Sequence, residues 1–109
     1  GHRGTIIFTG ATASLRGGAG FVNLASPKFA LRALAQSMAR ELGPRGIHVA
    51  HVIIDGGIRS PRYEEMFGDL GPDALLEPDA IADVYVALHQ QHRSTWTQEL
   101  DLRPWVEKF

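Results

Sequence analysis

The sequence predicts an α/β fold in the order β-α-β-α-β, a parallel sheet with crossover helices, and three observations carry that expectation. Two β-branched runs, residues 5–9 (TIIFT) and 47–54 (IHVAHVII), have the length and make-up of buried strands. Longer amphipathic stretches follow, over residues 26–42 and from residue 78 onward, and residues 97–103 then alternate as a half-covered strand does. Strands separated by helices of this length need crossovers, which are expected to be right-handed and to leave the strands parallel.

Taken in order, the first strand is stopped by Gly10. Residues 10–20 (GATASLRGGAG) read as a loop whose four glycines fit neither G-x-G-x-x-G nor G-x-x-x-x-G-K-[ST], so it carries no phosphate-cradling signature. Ser26 and Pro27 open the first helix. Serine accepts from the orphan N–H groups of a first turn, and proline suits the first helical position, where its missing N–H is not needed. The apolar stripe is read as Ala30, Ala33, Leu34, the small Ser37, Met38 and Leu42, widened by Leu31 and Ala35, with Arg32, Gln36 and Arg40 opposite. Gly43-Pro44 ends the helix. Asp55-Gly56-Gly57 ends the second strand. Residues 58–77, rich in proline, glycine and acid, are expected to form a long mobile loop with one turn of helix near residues 63–67. Pro78 and Asp79 start the next helix, the acid lying in the first turn where the macrodipole favours it. Ile81, Val84, Tyr85 and Leu88 form its apolar face. In the last strand Leu100 and Leu102 share one face and Glu99, Asp101 and Arg103 the other.

A chain of 109 residues makes one domain at most, and one this small buries a marginal core by itself. Its 44% hydrophobic and 21% charged residues are those of a globular protein. No apolar run spans a bilayer, no leader segment is evident, and the cytoplasm is the default compartment. Cysteine is absent, which excludes disulfides and thiolate metal sites. Residues 1–54 hold six Arg and Lys against Glu41 alone, whereas residues 55–109 hold the other acids. That asymmetry fits an anionic ligand, charge-matched contact between copies, or simply solvated helix faces. No run of basic residues supports nucleic-acid binding.

Individual side chains are read with their structural alternatives. His48 and His51, three apart in a strand, point to opposite faces and cannot chelate one metal; each is expected to be a hydrogen-bonded histidine in or under the core. His89 and His92 sit near a helix C-terminus, as surface residues. Trp96 and Trp105 flank the last strand and pack in the core or against a partner. No metal site is expected.

Three stretches resemble the C-terminal half of a short-chain dehydrogenase/reductase. Ala25-Ser26-Pro27-Lys28-Phe29-Ala30-Leu31, followed by Leu34, Ala39, Glu41 and Leu42, is similar to that family's Tyr-x-x-x-Lys helix. Ile47-His48-Val49 leading through Asp55-Gly56-Gly57-Ile58-Arg59-Ser60-Pro61 is similar to its strand and Pro-Gly-x-Ile-x-Thr loop. Residues 77–88 and 97–102 match its last helix and strand. The resemblance covers essentially the whole chain. It implies a Rossmann-type parallel sheet of which residues 1–109 form a single partial domain, the glycine-rich turn for the pyrophosphate lying in a first half outside this stretch. A chain starting so close to a strand is therefore expected to be a fragment, with Gly1-His2 as a cloning remnant or the chain as a truncation.

The resemblance further implies NAD or NADP as cofactor of the full-length protein, not of this stretch alone, a small-molecule substrate, and hydride transfer to or from a carbonyl or alcohol. Lys28 would hydrogen-bond the nicotinamide ribose, the Gly56-Gly57-Ile58 backbone the carboxamide, and Ser60 a phosphate; the alternative for Lys28 is a surface lysine. It also implies a homo-oligomer through the last helix and strand.

The departures bear on activity. A lysine four residues after a tyrosine tunes that phenol as the family's acid or base. Here Lys28 stands alone, because the tyrosine position is Leu24. The hydroxyl that orients the substrate is replaced by Ala11, with Thr12 or Ser14 nearby as substitutes. Tyr63 is either a replacement phenol or a packing residue. Asp55 takes the loop's proline position, where its charge would suit a pyrophosphate poorly. Starting the helix at Pro27 also leaves Leu24 outside it. The first hypothesis is a divergent oxidoreductase, the second a catalytically silent binding or scaffolding protein, the third a structural piece that folds by self-pairing.

Overall fold

The computed structural model describes residues 4–11, 22–68, 71 and 73–107, residues 22–26 by their backbone. Strand β1 (Gly4–Ala11), helix α1 (Val22–Leu42), strand β2 (Ile47–Ile54), helix α2 (Pro61–Phe67), helix α3 (Pro78–Gln90) and strand β3 (Glu99–Leu102) follow in that order, with short 3-10 turns at Gly43–Arg45 and Arg93–Thr95. The sheet is parallel throughout, in the order β1-β2-β3. β1 pairs with β2 from Gly4 opposite Ile47 to Ala11 opposite Ile54, and β3 pairs with β2 from Glu99 opposite His51 to Leu102 opposite Ile54.

β2 is central and buried from His48 to Ile54, as its unbroken apolar run predicts. Ala50, Val52 and Ile54 point to one face, where Leu88, Ile81, Val84 and Tyr85 of α3 pack with Ile7, Leu76, Leu100 and Leu102. Two polar ties bind α3 to β1 on that side: Tyr85 Oη with Thr9 Oγ1 at 2.5 Å, and His89 Nδ1 with Thr5 Oγ1 at 2.8 Å. The opposite face lies under α1, whose Ala35 is wholly buried and whose Arg32 reaches Glu99 beside His51.

Helices α1 and α3 therefore cover opposite faces while the chain moves the same way across the sheet. The two crossovers then have opposite hands. One is left-handed, against the expectation above and against the roughly 98% of such connections that are right-handed. The connection after β2 makes this feasible because residues 55–77 carry the chain across the carboxyl end of the sheet before α3 begins. That segment holds more structure than the expected loop: α2 runs from Pro61 to Phe67, and Ile58 and Leu76 form an isolated parallel bridge.

The first helix departs from expectation in two ways. It begins at Val22, five residues before Pro27, which sits inside it. An interior proline forfeits one hydrogen bond at a cost of about 3 kcal/mol; packing along the sheet outweighs the local start signal. Its sheet-facing side is also rotated from the predicted stripe. Leu31, Arg32, Ala35, Met38 and Leu42 are covered, whereas Ala30, Ala33, Leu34 and Ser37 are exposed, Leu34 at 50%.

Candidate cofactor site at the carboxyl end of the sheet

In open parallel sheets ligands bind beyond the carboxyl ends of the strands. Ala11 ends β1 opposite Ile54, one residue before the Asp55–Ser60 stretch. The Asp55 N–H donates to the Leu102 carbonyl at 2.8 Å, extending the β2–β3 ladder by a step that proline could not make. Asp55 is buried, at 7% exposure.

Two glycines are required next. Gly56 has φ +138°, a conformation that L side chains rarely adopt. At Gly57 an added Cβ would lie 2.7 Å from the Tyr63 ring and 2.9 Å from Leu75 Cδ2. Tyr63 packs on that glycine and tilts against Phe67, with ring centroids 4.7 Å apart. Of the two readings of Tyr63, the geometry supports packing.

The loop presents a polar edge. The Leu76 N–H donates to the Gly57 carbonyl and the Arg59 N–H to the Leu76 carbonyl, both at 2.8 Å. In a parallel bridge of this kind the intervening residue turns its own peptide groups the other way. The Ile58 N–H and C=O accordingly take no hydrogen-bond partner among the described residues, and the residue is 42% exposed. Ser60 caps α2, its Oγ accepting from the Tyr63 N–H at 3.0 Å. That bond uses a lone pair and leaves the hydroxyl hydrogen to donate.

Lys28 is half-buried in the second turn of α1, with no hydrogen bond or ion pair among the described residues. Because α1 starts at Val22, Leu24 and Lys28 are one turn apart in a continuous helix, which corrects the expectation that Leu24 lies outside it. Thr12 and Ser14 lie outside the described residues. Gly56, Gly57, Ile58 and Ser60 thus stand in one loop between β2 and α2, and Lys28 stands in α1.

Sequence reasoning missed Arg59, whose guanidinium donates to Glu77 Oε1 from Nε at 2.5 Å, to Glu64 Oε1 from Nη1 at 2.8 Å, and to the Gly71 carbonyl from Nη2 at 2.9 Å. The Glu64 and Glu77 hydrogen bonds raise its already high pKa. The partners lie 5, 18 and 12 residues away, so no local spacing announced them.

On the α1 face Arg32 grips Glu99 at two points, 2.8 and 2.9 Å, and His51 Nδ1 lies 3.1 Å from the same carboxylate. The Arg32 hydrogen bond, then that of His51, holds Glu99 below the usual carboxylate range, although partial burial opposes them. His48 faces the other side, its Nε2 2.7 Å from the Thr97 carbonyl and its ring stacked on Trp96 at 4.8 Å. Both histidines are hydrogen-bonded and on opposite faces, as expected. His48 Nδ1 and His51 Nε2 have no hydrogen-bond partner among the described residues.

A cavity of about 700 Å³ lies at the opposite end of the sheet among Arg45, His48, His92, Arg93 and Trp96, away from the loop. Among the described residues no cluster of three or more His, Cys, Asp or Glu is placed to hold a metal, and no helix is long and apolar enough to cross a membrane.

Three parallel strands with α1 and α3 on opposite faces define part of a Rossmann-like α/β fold. The chain belongs to the short-chain dehydrogenase family, whose sequence profile matches residues 1–69. It is 50% identical to a short-chain dehydrogenase from Rhodopseudomonas palustris, with a TM-score of 0.72 over 94% of this chain and 39% of that one. The fold is shared with an NADPH-bound short-chain oxidoreductase of Pseudomonas aeruginosa containing an atypical catalytic center (18% identity, TM-score 0.76, 96% and 46% covered). It is shared too with an alcohol dehydrogenase of Thermococcus sibiricus complexed with 5-hydroxy-NADP (21% identity, TM-score 0.72, 95% and 43% covered). The chain thus spans less than half the length of each of these relatives. No curated protein matches it.

Proposed function

We propose that this chain supplies the nicotinamide-side half of an NAD- or NADP-dependent oxidoreductase that moves hydride between the cofactor and a carbonyl or alcohol of a small molecule. The observation that carries the reading is the pinned loop: Gly57 and Arg59 are bonded to Leu76, so the Ile58 N–H and C=O are left open, a donor and an acceptor side by side. That pair matches a planar primary amide such as the nicotinamide carboxamide. Lys28, which has no partner among the described residues, would hold the ribose, and the Ser60 hydroxyl hydrogen a phosphate oxygen. When bound, the dinucleotide supplies the hydride. Family membership supports an oxidoreductase over a silent scaffold. Leu24 and Ala11 leave the usual proton relay without its phenol and orienting hydroxyl, so slow turnover is expected.

We further read residues 1–109 as one partial domain that completes itself against additional chain. Among the described residues no strand pairs with the outer edge of β1. The accessible surface of 7370 Å² exceeds the roughly 5900 Å² of a compact protein of this mass. A homo-oligomer through α3 and β3 fits the exposure of Val86 (54%) and of Trp105 (81%) just beyond β3. We propose the cytoplasm as its compartment. The test is thermal melting of the full polypeptide containing these residues with NADH or NADPH. A rise in Tm that disappears in Lys28→Ala supports the reading, and no shift at millimolar cofactor ends it.

A further inference from the structure

The connection from β2 to α3 poses a mechanical problem. It crosses to the opposite face of the sheet, and its first residues must hold the Ile58 peptide at a fixed angle. One backbone bridge to Leu76 restrains that peptide about a single line. The second restraint is Arg59, which reaches the first turns of α2 through Glu64, the stretch beyond α2 through the Gly71 carbonyl, and the start of α3 through Glu77. Glu77 is the N-cap residue of α3 yet makes no side-chain capping bond; its carboxylate goes to Arg59 instead. The planar, five-donor fork of arginine serves three directions at once, as a lysine ammonium on a flexible stem does not.

We propose that Arg59 is a positioning residue for the nicotinamide half of the cofactor: its three ties fix the loop so that Ile58 presents its N–H and C=O together to the carboxamide. Arg59 itself touches no cofactor atom in this role. The proposal rests on the reading of the loop as a nicotinamide site. It predicts a larger loss for ligands that carry the nicotinamide carboxamide than for ADP-ribose, which lacks the carboxamide and keeps only the phosphate that Ser60 would hold.

The experiment measures Kd for NADH, NADPH and ADP-ribose, which lacks nicotinamide, on the full polypeptide and its Arg59→Ala, Arg59→Lys and Glu77→Gln variants. Arg59→Ala is expected to weaken the preferred dinucleotide roughly tenfold, the worth of one or two hydrogen bonds, and ADP-ribose, which lacks the carboxamide but keeps the Ser60 phosphate contact, by a clearly smaller factor. Arg59→Lys and Glu77→Gln, which keep part of the clasp, are expected to fall between. Equal losses for dinucleotide and ADP-ribose indicate general loosening and overturn the proposal. So does unchanged dinucleotide affinity in all three variants. If the unaltered protein binds neither dinucleotide, the nicotinamide reading itself falls and the role of Arg59 with it; the two failures are therefore distinct.

Discussion

Arg32 of α1 and Glu99 of β3, 67 residues apart, meet in a two-point ion pair that ties the helix over one face of the sheet to the edge strand, with the buried His51 on the same carboxylate. The basic first half and acidic second half of the sequence thus meet within one chain, in part as an internal contact. The pair is partly covered, at 33% and 21% side-chain exposure, so it is worth more than a solvated surface bridge. Glu99→Ala removes the partner of both Arg32 and His51. It is expected to lower unfolding free energy by about 1–3 kcal/mol in urea titrations. Arg32→Ala should cost less, since His51 keeps its acceptor, and the double variant should show clear non-additivity.

The same carboxylate sets a pH dependence. Glu99 titrates lower in the folded chain than in the unfolded one, where a glutamate titrates near about 4.3. Its stabilisation is therefore complete above that value and is lost as pH falls through the lower folded pKa. Urea midpoints of the unaltered chain and Glu99→Gln should differ at pH 7 and converge toward pH 3. A gap that widens on acidification would contradict the assignment.

Gly57 is occupied by its neighbours. Gly57→Ala would bring a methyl to 2.7 Å from the Tyr63 ring and 2.9 Å from Leu75. The expected cost is about 1–3 kcal/mol. Tyr63→Ala in that background should recover only part of it, because Leu75 remains. Denaturation of the two variants checks both statements.

The covered side of α1 is open to an equally simple test. Leu34 is half exposed and Ala35 wholly buried. Leu34→Ala should change stability by no more than about 0.5 kcal/mol, whereas Ala35→Leu should cost about 1–3 kcal/mol by overpacking. The stripe read from the sequence predicts a large cost for Leu34→Ala instead.

These cases show which parts of the molecule could be read in advance. β2 and α3 were legible because each has one hydrophobic solution: an unbroken run for the strand, and Ile81, Val84, Tyr85 and Leu88 for the helix. The covered side of α1 was not, because Phe29, Ala30, Leu31, Ala33, Leu34, Ala35 and Met38 make the helix apolar almost all round, and periodicity then permits two faces. The Ser26-Pro27 start signal is local, and sheet packing overrode it. The opposite-handed crossover depends on which face α3 reaches, which no window of sequence contains. In the loop after β2 the order Gly56, Gly57, Ile58, Ser60 is plain in the sequence, but the clasp of Arg59 is not, since its partners are brought together only by the path of the chain.

Leu24 offers the most direct test of the whole account. It stands one turn before Lys28 in a continuous α1, so Leu24→Tyr would place a phenol at the spacing the family uses. The measurement is single-turnover oxidation of NADPH or NADH by the full polypeptide with a carbonyl substrate, with and without Leu24→Tyr. The account predicts slow turnover that rises roughly 10²-fold or more in the variant, as expected for a restored general acid, with cofactor Kd unchanged. Rapid turnover by the unaltered protein, abolished by Lys28→Ala and not improved by Leu24→Tyr, would contradict it.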